Sequence, residues 1–464
     1  MLFIFPLIYV TSFFVALREV IKGNRQGVFL FLIFGLSIYT TAMSVAFVLG
    51  LKSFIPFFHI FKEVLIIGTL ILNLVTLKYL PRLHLIDYLI LGFLLYTVIY
   101  AVLPIGGQGL GDRLGALKGT SFFAVVYFTG RLMDLREVYI GKYFNYILVL
   151  TIAAGIVLLF ELFFYTHLQT FTGFADYNFY FFNFEPTGSY GLTSTFESEG
   201  GYKRFASFFS TPIEHGTAAM MALCVIAALY TTDDNKFKIN RIGLYALAAS
   251  FLSIFFSISR APLIGYFIII YVYARITKRK FVVNTIHAIV GTAVLYVIYL
   301  FTFPADNTSA PVEVLMNTID FSNPSSAGHV IEWIEGILSI INKPLGLGLG
   351  SSGRVAGSLG DQVGGENQFI IIGVQVGVIA MFMYIWVYIL FIKTSLKWLP
   401  VLTGKEKKVC MAVLLIKIGL IVPLFTSEIE ASAYISYLNW FLSGLLISIL
   451  MQRGSHQKYL AYDY

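Results

Sequence analysis

The sequence predicts an all-α, polytopic membrane protein with about twelve or thirteen transmembrane helices, and three observations carry that expectation. Apolar residues make up 58% of the chain and charged ones only 12%, against about 25% charged in a typical soluble domain. Apolar runs of the length that crosses a bilayer as a helix recur from end to end. Lysine and arginine, in turn, gather in alternate loops.

Thirteen spans are expected, at about 1–17, 28–50, 55–77, 85–104, 113–131, 144–166, 211–231, 242–259, 261–276, 281–303, 369–393, 409–427 and 432–452. The first begins at Met1 with no basic residue before it, and Arg18 and Lys22 follow it, which reads as a retained helix rather than a cleaved signal. One set of loops, with the C-terminal tail, holds 22 basic residues. The opposite set holds eight: Lys52, Arg113, Lys118, Lys203, Arg204, Arg260, Lys343 and Arg354. The chain therefore reads as a single integral-membrane domain, 1–464, with its N-terminus outside and its C-terminus inside.

The pI near 9.1 follows from loop charge beside anionic lipid, and nucleic acid is not needed to explain it. Cys224 and Cys410 lie in or beside apolar runs, so neither a disulfide framework nor a thiolate metal site is expected. The seven histidines show no paired metal-ligand spacing and no Asp-x-Asp occurs, so a metal site, a cofactor and a soluble nucleotide-sugar transferase domain are all absent from the reading.

Two long loops share the outer side, 167–210 and 304–368. The second contains "SSAGHVIEWIEGILSIINK", where Ile331, Ile334, Leu338 and Ile341 recur at helical spacing, so an amphipathic helix over 325–343 is expected on the outer membrane face. It closes on eight glycines over 344–368, including a literal G-x-G-x-x-G at Gly348–Gly353. The dinucleotide fingerprint needs a βαβ unit that this stretch lacks.

Candidate chemistry collects on the same side. Arg260 stands at the outer turn before span nine, and Pro262 fits the first turn of that helix. A helix start and a guanidinium facing one spot suit phosphate oxygens; an interfacial arginine snorkelling to headgroups is the competing reading. Arg204, with Lys203, precedes span seven and is either a second cation for that spot or a headgroup anchor. Thr211 to Glu214 reads as a capping box, which gives Glu214 a mainly structural role, and His215 is either a titrating group or simply hydrogen-bonded. Arg113 and Lys118 share a helical face and either widen a cationic pocket or flank a span. Glu366 and Asn367, directly before span eleven, offer a general base or a helix cap. Tyr177, Tyr180, Phe181 and Tyr190 offer rings for sugar faces or an interfacial belt.

Four stretches together carry a resemblance: "SRAPL" at 259–263, "RFASFFSTPIEHG" at 204–216, "GHVIEWIEGILSIINKPLGLGLG" at 328–350 and "ENQFIIIGVQVGVIA" at 366–380. In order and placement they resemble the bacterial O-antigen ligase and polymerase superfamily, over about residues 200–395. The resemblance implies a GT-C-like membrane glycosyltransferase of the bacterial inner membrane, working on its outer face without a cofactor. Its donor would be a polyprenyl-diphosphate-linked oligosaccharide, its acceptor a glycan, and a chain-length regulator a possible partner. Arg204 and Arg260 would hold the diphosphate, helped by Arg113 and Lys118. Glu366 would be the base, and His329, Arg354, Asn367 and His215 would line the substrate. Ligases of the family usually have His-Asn where this chain has Glu366–Asn367, and members commonly have Arg where it has His329. The first departure favours polymerase over ligase. An exporter of lipid or polysaccharide is the alternative of another class; it would place charges at mid-membrane depth along several helices, where only Lys62, Glu63 and Lys417 fall.

Overall fold

The computed structural model describes residues 2–79, 81–198, 201–302, 324–359 and 363–460. The described residues are helical, with three isolated β-bridges, Thr187–Leu192, Glu197–Lys203 and Thr231–Phe237, and no strand. In chain order the helices are α1 (Ile4–Ile21), α2 (Arg25–Val48), α3 (Lys52–Thr76), α4 (Leu85–Val102), α5 (Leu110–Arg131), α6 (Ile140–Phe164), α7 (Leu168–Thr172), α8 (Phe174–Phe182), α9 (Pro212–Tyr230), α10 (Arg241–Phe256), α11 (Arg260–Ile276), α12 (Lys280–Thr302), α13 (Pro324–Asn342), α14 (Gly353–Leu359), α15 (Gln368–Val376), α16 (Val378–Trp398), α17 (Gly404–Gly419), α18 (Ile421–Thr426) and α19 (Ala433–Leu460).

Ten segments among the described residues are long and apolar enough to cross a membrane, which makes this a multi-pass membrane protein. Each of the thirteen expected spans falls on helix. The three that miss that standard are α5, which carries charge, and α10 and α11, which have only 16 and 17 residues. The loop expected at 304–368 lies partly outside the described residues.

Burial sorts the bundle. The spans of α9 and α19 are 89% and 94% buried and form its centre, whereas the α12 span is 6% buried and lies at the rim. The closest crossing is α5 on α19, where a Cβ on Gly130 would meet the Phe441 backbone and one on Gly444 the Tyr127 backbone. Small residues at such a crossing let helices approach to van der Waals contact, the main attraction left between helices in lipid.

One expectation needs correction. The apolar run at 369–393 is not a single span: it breaks at Gly377, whose φ of +90° no helix accommodates. The "PLGLGLG" segment lies along the break. Val378 N–H donates to Pro344 O (2.9 Å), Leu347 N–H to Val374 O (2.7 Å) and Gly348 N–H to Gln375 O (3.0 Å). The backbone groups that the break would leave orphaned are thus satisfied by a neighbouring segment, which is what tolerates the break.

The amphipathic helix is present as α13. Its Gly336 and Ile340 edge packs on Ile370 and Val374 of α15, while Ile331, Ile334, Leu338 and Ile341 stay exposed. The 167–210 loop is not irregular throughout, since it folds into α7, α8 and a small bridged turn.

Candidate functional site

Arg204 is brought to the start of α11. Its N–H donates to Phe196 O and the next residue's to Phe256 O, so the segment before α9 is pinned against the α10–α11 turn. From there the guanidinium donates through Nε to Ser257 O (3.2 Å) and through Nη2 to Ser259 Oγ (2.8 Å). Ser259 is the residue before α11, in N-cap position, yet its hydroxyl caps nothing and instead holds Arg204 and donates to Ser257 O. Arg260, exposed, opens the helix, and Pro262 in the first turn brings no N–H to satisfy. Burial and the Arg260 charge lower the Arg204 pKa to about 10, so its guanidinium is charged at neutral pH. Two cations held at one helix N-terminus make a site for a dianion.

Facing them are α13 and the loop before α15. His329 Nδ1 lies 2.7 Å from Glu366 Oε2. That hydrogen bond raises the His329 pKa against the opposing effect of burial, and the Arg260 charge is near enough to lower it slightly. Arg260, His329 and Glu366 therefore share one neighbourhood. Glu366 adopts a left-handed backbone conformation with φ of +64°, which costs a non-glycine residue about 1–2 kcal/mol. Its side chain is half exposed, presenting a carboxylate outward beside a histidine.

Glu332, one helical turn after His329, completes a cluster. Ligand atoms of His329, Glu332 and Glu366 lie within 4.8 Å of one another, a spacing at which they can hold a divalent cation. The expectation of no metal constellation considered histidine pairs, Asp-x-Asp and the cysteines; the i, i+3 placement of His329 and Glu332 on one face was the readable signal. Burial, with Glu366 beside it, raises the Glu332 pKa.

The remaining candidates take other places. Asn367 caps α15, accepting from Phe369 N–H (3.0 Å) and Ile370 N–H (3.2 Å). Thr211 caps α9 by accepting from Glu214 N–H, and the Glu214 carboxylate takes Ser210 N–H (3.0 Å) and Ser432 Oγ–H (2.7 Å), tying α9 to the start of α19. His215 is fully buried, bonded to Phe205 O at 3.0 Å. Arg113 is buried and donates to Leu103 O. Lys118 pairs with Glu63 at 2.5 Å. Arg354 reaches across to the 167–210 loop, its guanidinium against the rings of Phe182 and Phe184, while its N–H donates to Glu428 at 2.6 Å. Burial raises the Glu428 pKa.

Sequence reasoning missed Ser259 as the holder of Arg204, and Glu63 and Glu428 as partners of Lys118 and Arg354, since each pairing joins distant segments. No protein-family description matches the chain, and no curated protein matches it either.

Proposed function

We propose that the chain is a glycosyltransferase that polymerises lipid-linked oligosaccharide repeat units on the outer face of a bacterial inner membrane. The observation that carries this reading is the convergence of Arg204 and Arg260 at the uncapped start of α11, with the His329–Glu366 pair facing them.

In the proposed step Glu366 takes the proton of an acceptor sugar hydroxyl. The hydroxyl oxygen forms a bond to the donor's anomeric carbon as the carbon–oxygen bond to the diphosphate breaks, and the configuration inverts. The bond's electron pair leaves on polyprenyl diphosphate, whose growing charge the two guanidiniums meet. Arginine suits this task because it is fixed, bidentate and charged without a metal. The left-handed backbone at Glu366 fits a group held in place for chemistry rather than for stability.

The test is purified protein in lipid nanodiscs with lipid-linked repeat units and no ion gradient. Longer lipid-linked chains, in EDTA as well as in magnesium, are expected from wild type and not from Glu366→Gln. A parallel arm offers lipid A core as acceptor. Transfer only to that acceptor makes the chain a ligase; no transfer in either arm, with export lost in Arg260→Ala cells, makes it an exporter and overturns the proposal.

A further inference from the structure

The start of α9 crosses the turn that holds Arg204, and His215 stands at the crossing. A Cβ on the next residue, Gly216, would lie 2.7 Å from Ser257 Oγ and 3.3 Å from Pro262 Cβ, so α9 rests directly on the α10–α11 turn. His215 Nδ1 lies 3.0 Å from Phe205 O, and the Phe205 N–H donates to Phe256 O at 3.1 Å. The residue after Arg204 is thereby gripped from α9 on one side and α10 on the other. Phe209 lies nearly parallel to the imidazole (5.5 Å, 20°) and fixes its plane.

A carbonyl oxygen only accepts, so the bond to Phe205 places a proton on His215 Nδ1. The Glu214 carboxylate beside it is turned to Ser210 and Ser432 and gives the ring no counter-charge, so the neutral form is the one this buried place suits. Nε2 then carries a lone pair that needs a donor. Nε2 and Ser253 Oγ, on residues that are each 1% exposed, find no hydrogen-bond partner among the described residues. Both residues line one cavity of about 10 Å³ between α6, α9, α10 and α19, with Thr151 and Tyr434 also in its wall. That is room for one water, and buried waters sit where polar groups of this kind would otherwise go unmet.

We infer that His215 is a positioning residue for Arg204, set in its Nδ1–H form by one buried water that donates to Nε2 and accepts from Ser253 Oγ–H. The imidazole touches neither diphosphate nor sugar. It holds the Phe205 carbonyl, and through it the place from which the Arg204 guanidinium reaches Ser257 O and Ser259 Oγ. The water meets the second nitrogen that comes with a histidine donor. The inference rests on the proposed function in one respect: it takes Arg204 as a group that meets the diphosphate.

The first arm of the test needs no catalysis. In NMR of the full chain in nanodiscs with isotope-labelled histidine nitrogens, the His215 signals are assigned by their loss in His215→Asn. They should show the proton on Nδ1, a hydrogen bond accepted at Nε2 and cross-relaxation to water, and Ser253→Ala should shift Nε2 toward a free lone pair. A proton on Nε2, or an Nε2 signal indifferent to Ser253→Ala, overturns the water-set tautomer. The second arm reads Arg204. His215→Phe should lower kcat/KM for the donor roughly 10-fold or more, through a displaced guanidinium, and leave the acceptor KM unchanged. His215→Asn, whose amide N–H stands where Nδ1 did, should regain most of that loss, and in an Arg204→Ala background His215→Phe should cost nothing further. An equal loss with and without Arg204 makes His215 a packing residue and overturns the inference. In a protein that never lengthens chains the polymerase fails, and the affinity for inorganic diphosphate judges His215 alone: a fall in His215→Phe that vanishes in the Arg204→Ala background keeps the inference, and no fall overturns it.

Discussion

Replacing Arg204 by lysine isolates its charge from its shape. Burial and Arg260 lower the Arg204 pKa from its ordinary value to about 10. A lysine in the same place starts roughly two units lower, near 10.4, and the same surroundings carry it to roughly 8. At pH 7 the substituted lysine is therefore still mostly charged, and it loses that charge as pH rises through about 8, two units before arginine does. It also loses the planar fork that reaches Ser257 O and Ser259 Oγ together, so its activity is lower at every pH.

The assay is the rate of chain extension in nanodiscs from pH 6.5 to 9.5, for wild type and Arg204→Lys. Wild type should hold its alkaline limb to the end of the range, whereas the variant should fall roughly tenfold per pH unit above about 8. Arg204→Ala, with no charge to lose, should be lower by roughly 10²–10³ in kcat, the range for removing one preorganised donor from a developing anion. If the lysine variant's profile is a scaled copy of wild type, Arg204 only braces the α10–α11 turn and its proposed electrostatic role is wrong.

Three further outcomes follow from the same structure. His329 has a raised pKa because Glu366 accepts its proton, so the tie between α13 and the α15 loop is at full strength below about pH 6.5 and weakens as pH rises through the raised value; amide exchange at 363–367 should quicken over that window, and Glu366→Gln should abolish the dependence. Asp87, fully buried and bonded to Arg131 Nε at 3.1 Å, should cost about 3–5 kcal/mol when changed to Asn, read as a lower Tm with activity per folded molecule intact. Gly377→Ala places a Cβ 2.7 Å from Pro344 O on a backbone with φ of +90°; it should destabilise by more than the about 1–2 kcal/mol of the left-handed conformation alone, measured by thermal unfolding in detergent.

What the sequence made legible follows from which interactions are local. Apolar length is a local property, and so each expected span falls on helix. Arg204 and Arg260 were readable as a pair because each stands near a helix start and the loop-charge count assigned both starts to one side. The break at Gly377 was not readable, because hydropathy counts apolar residues without asking where their backbone bonds go. The partners that satisfy it come from Pro344, Leu347 and Gly348, some thirty residues earlier. The glycines there, weighed as a nucleotide motif and as part of a family resemblance, also bring that segment against a helix end.

The same division separates the charges of the outer side. Eight basic residues counted equally toward topology, yet the structure divides them by what each already holds. Arg113 donates to the Leu103 carbonyl, Lys118 pairs with Glu63, and the Arg354 guanidinium rests on two rings while its backbone N–H reaches Glu428. Arg204, like Arg113, is held by neutral acceptors, here Ser257 O and Ser259 Oγ, but it is half-buried beside a like charge. A cation placed against another cation with no carboxylate among its named partners is a cost to the fold that an arriving dianion removes. That imbalance, rather than the presence of arginine, is what the proposed diphosphate role of the α11 start rests on.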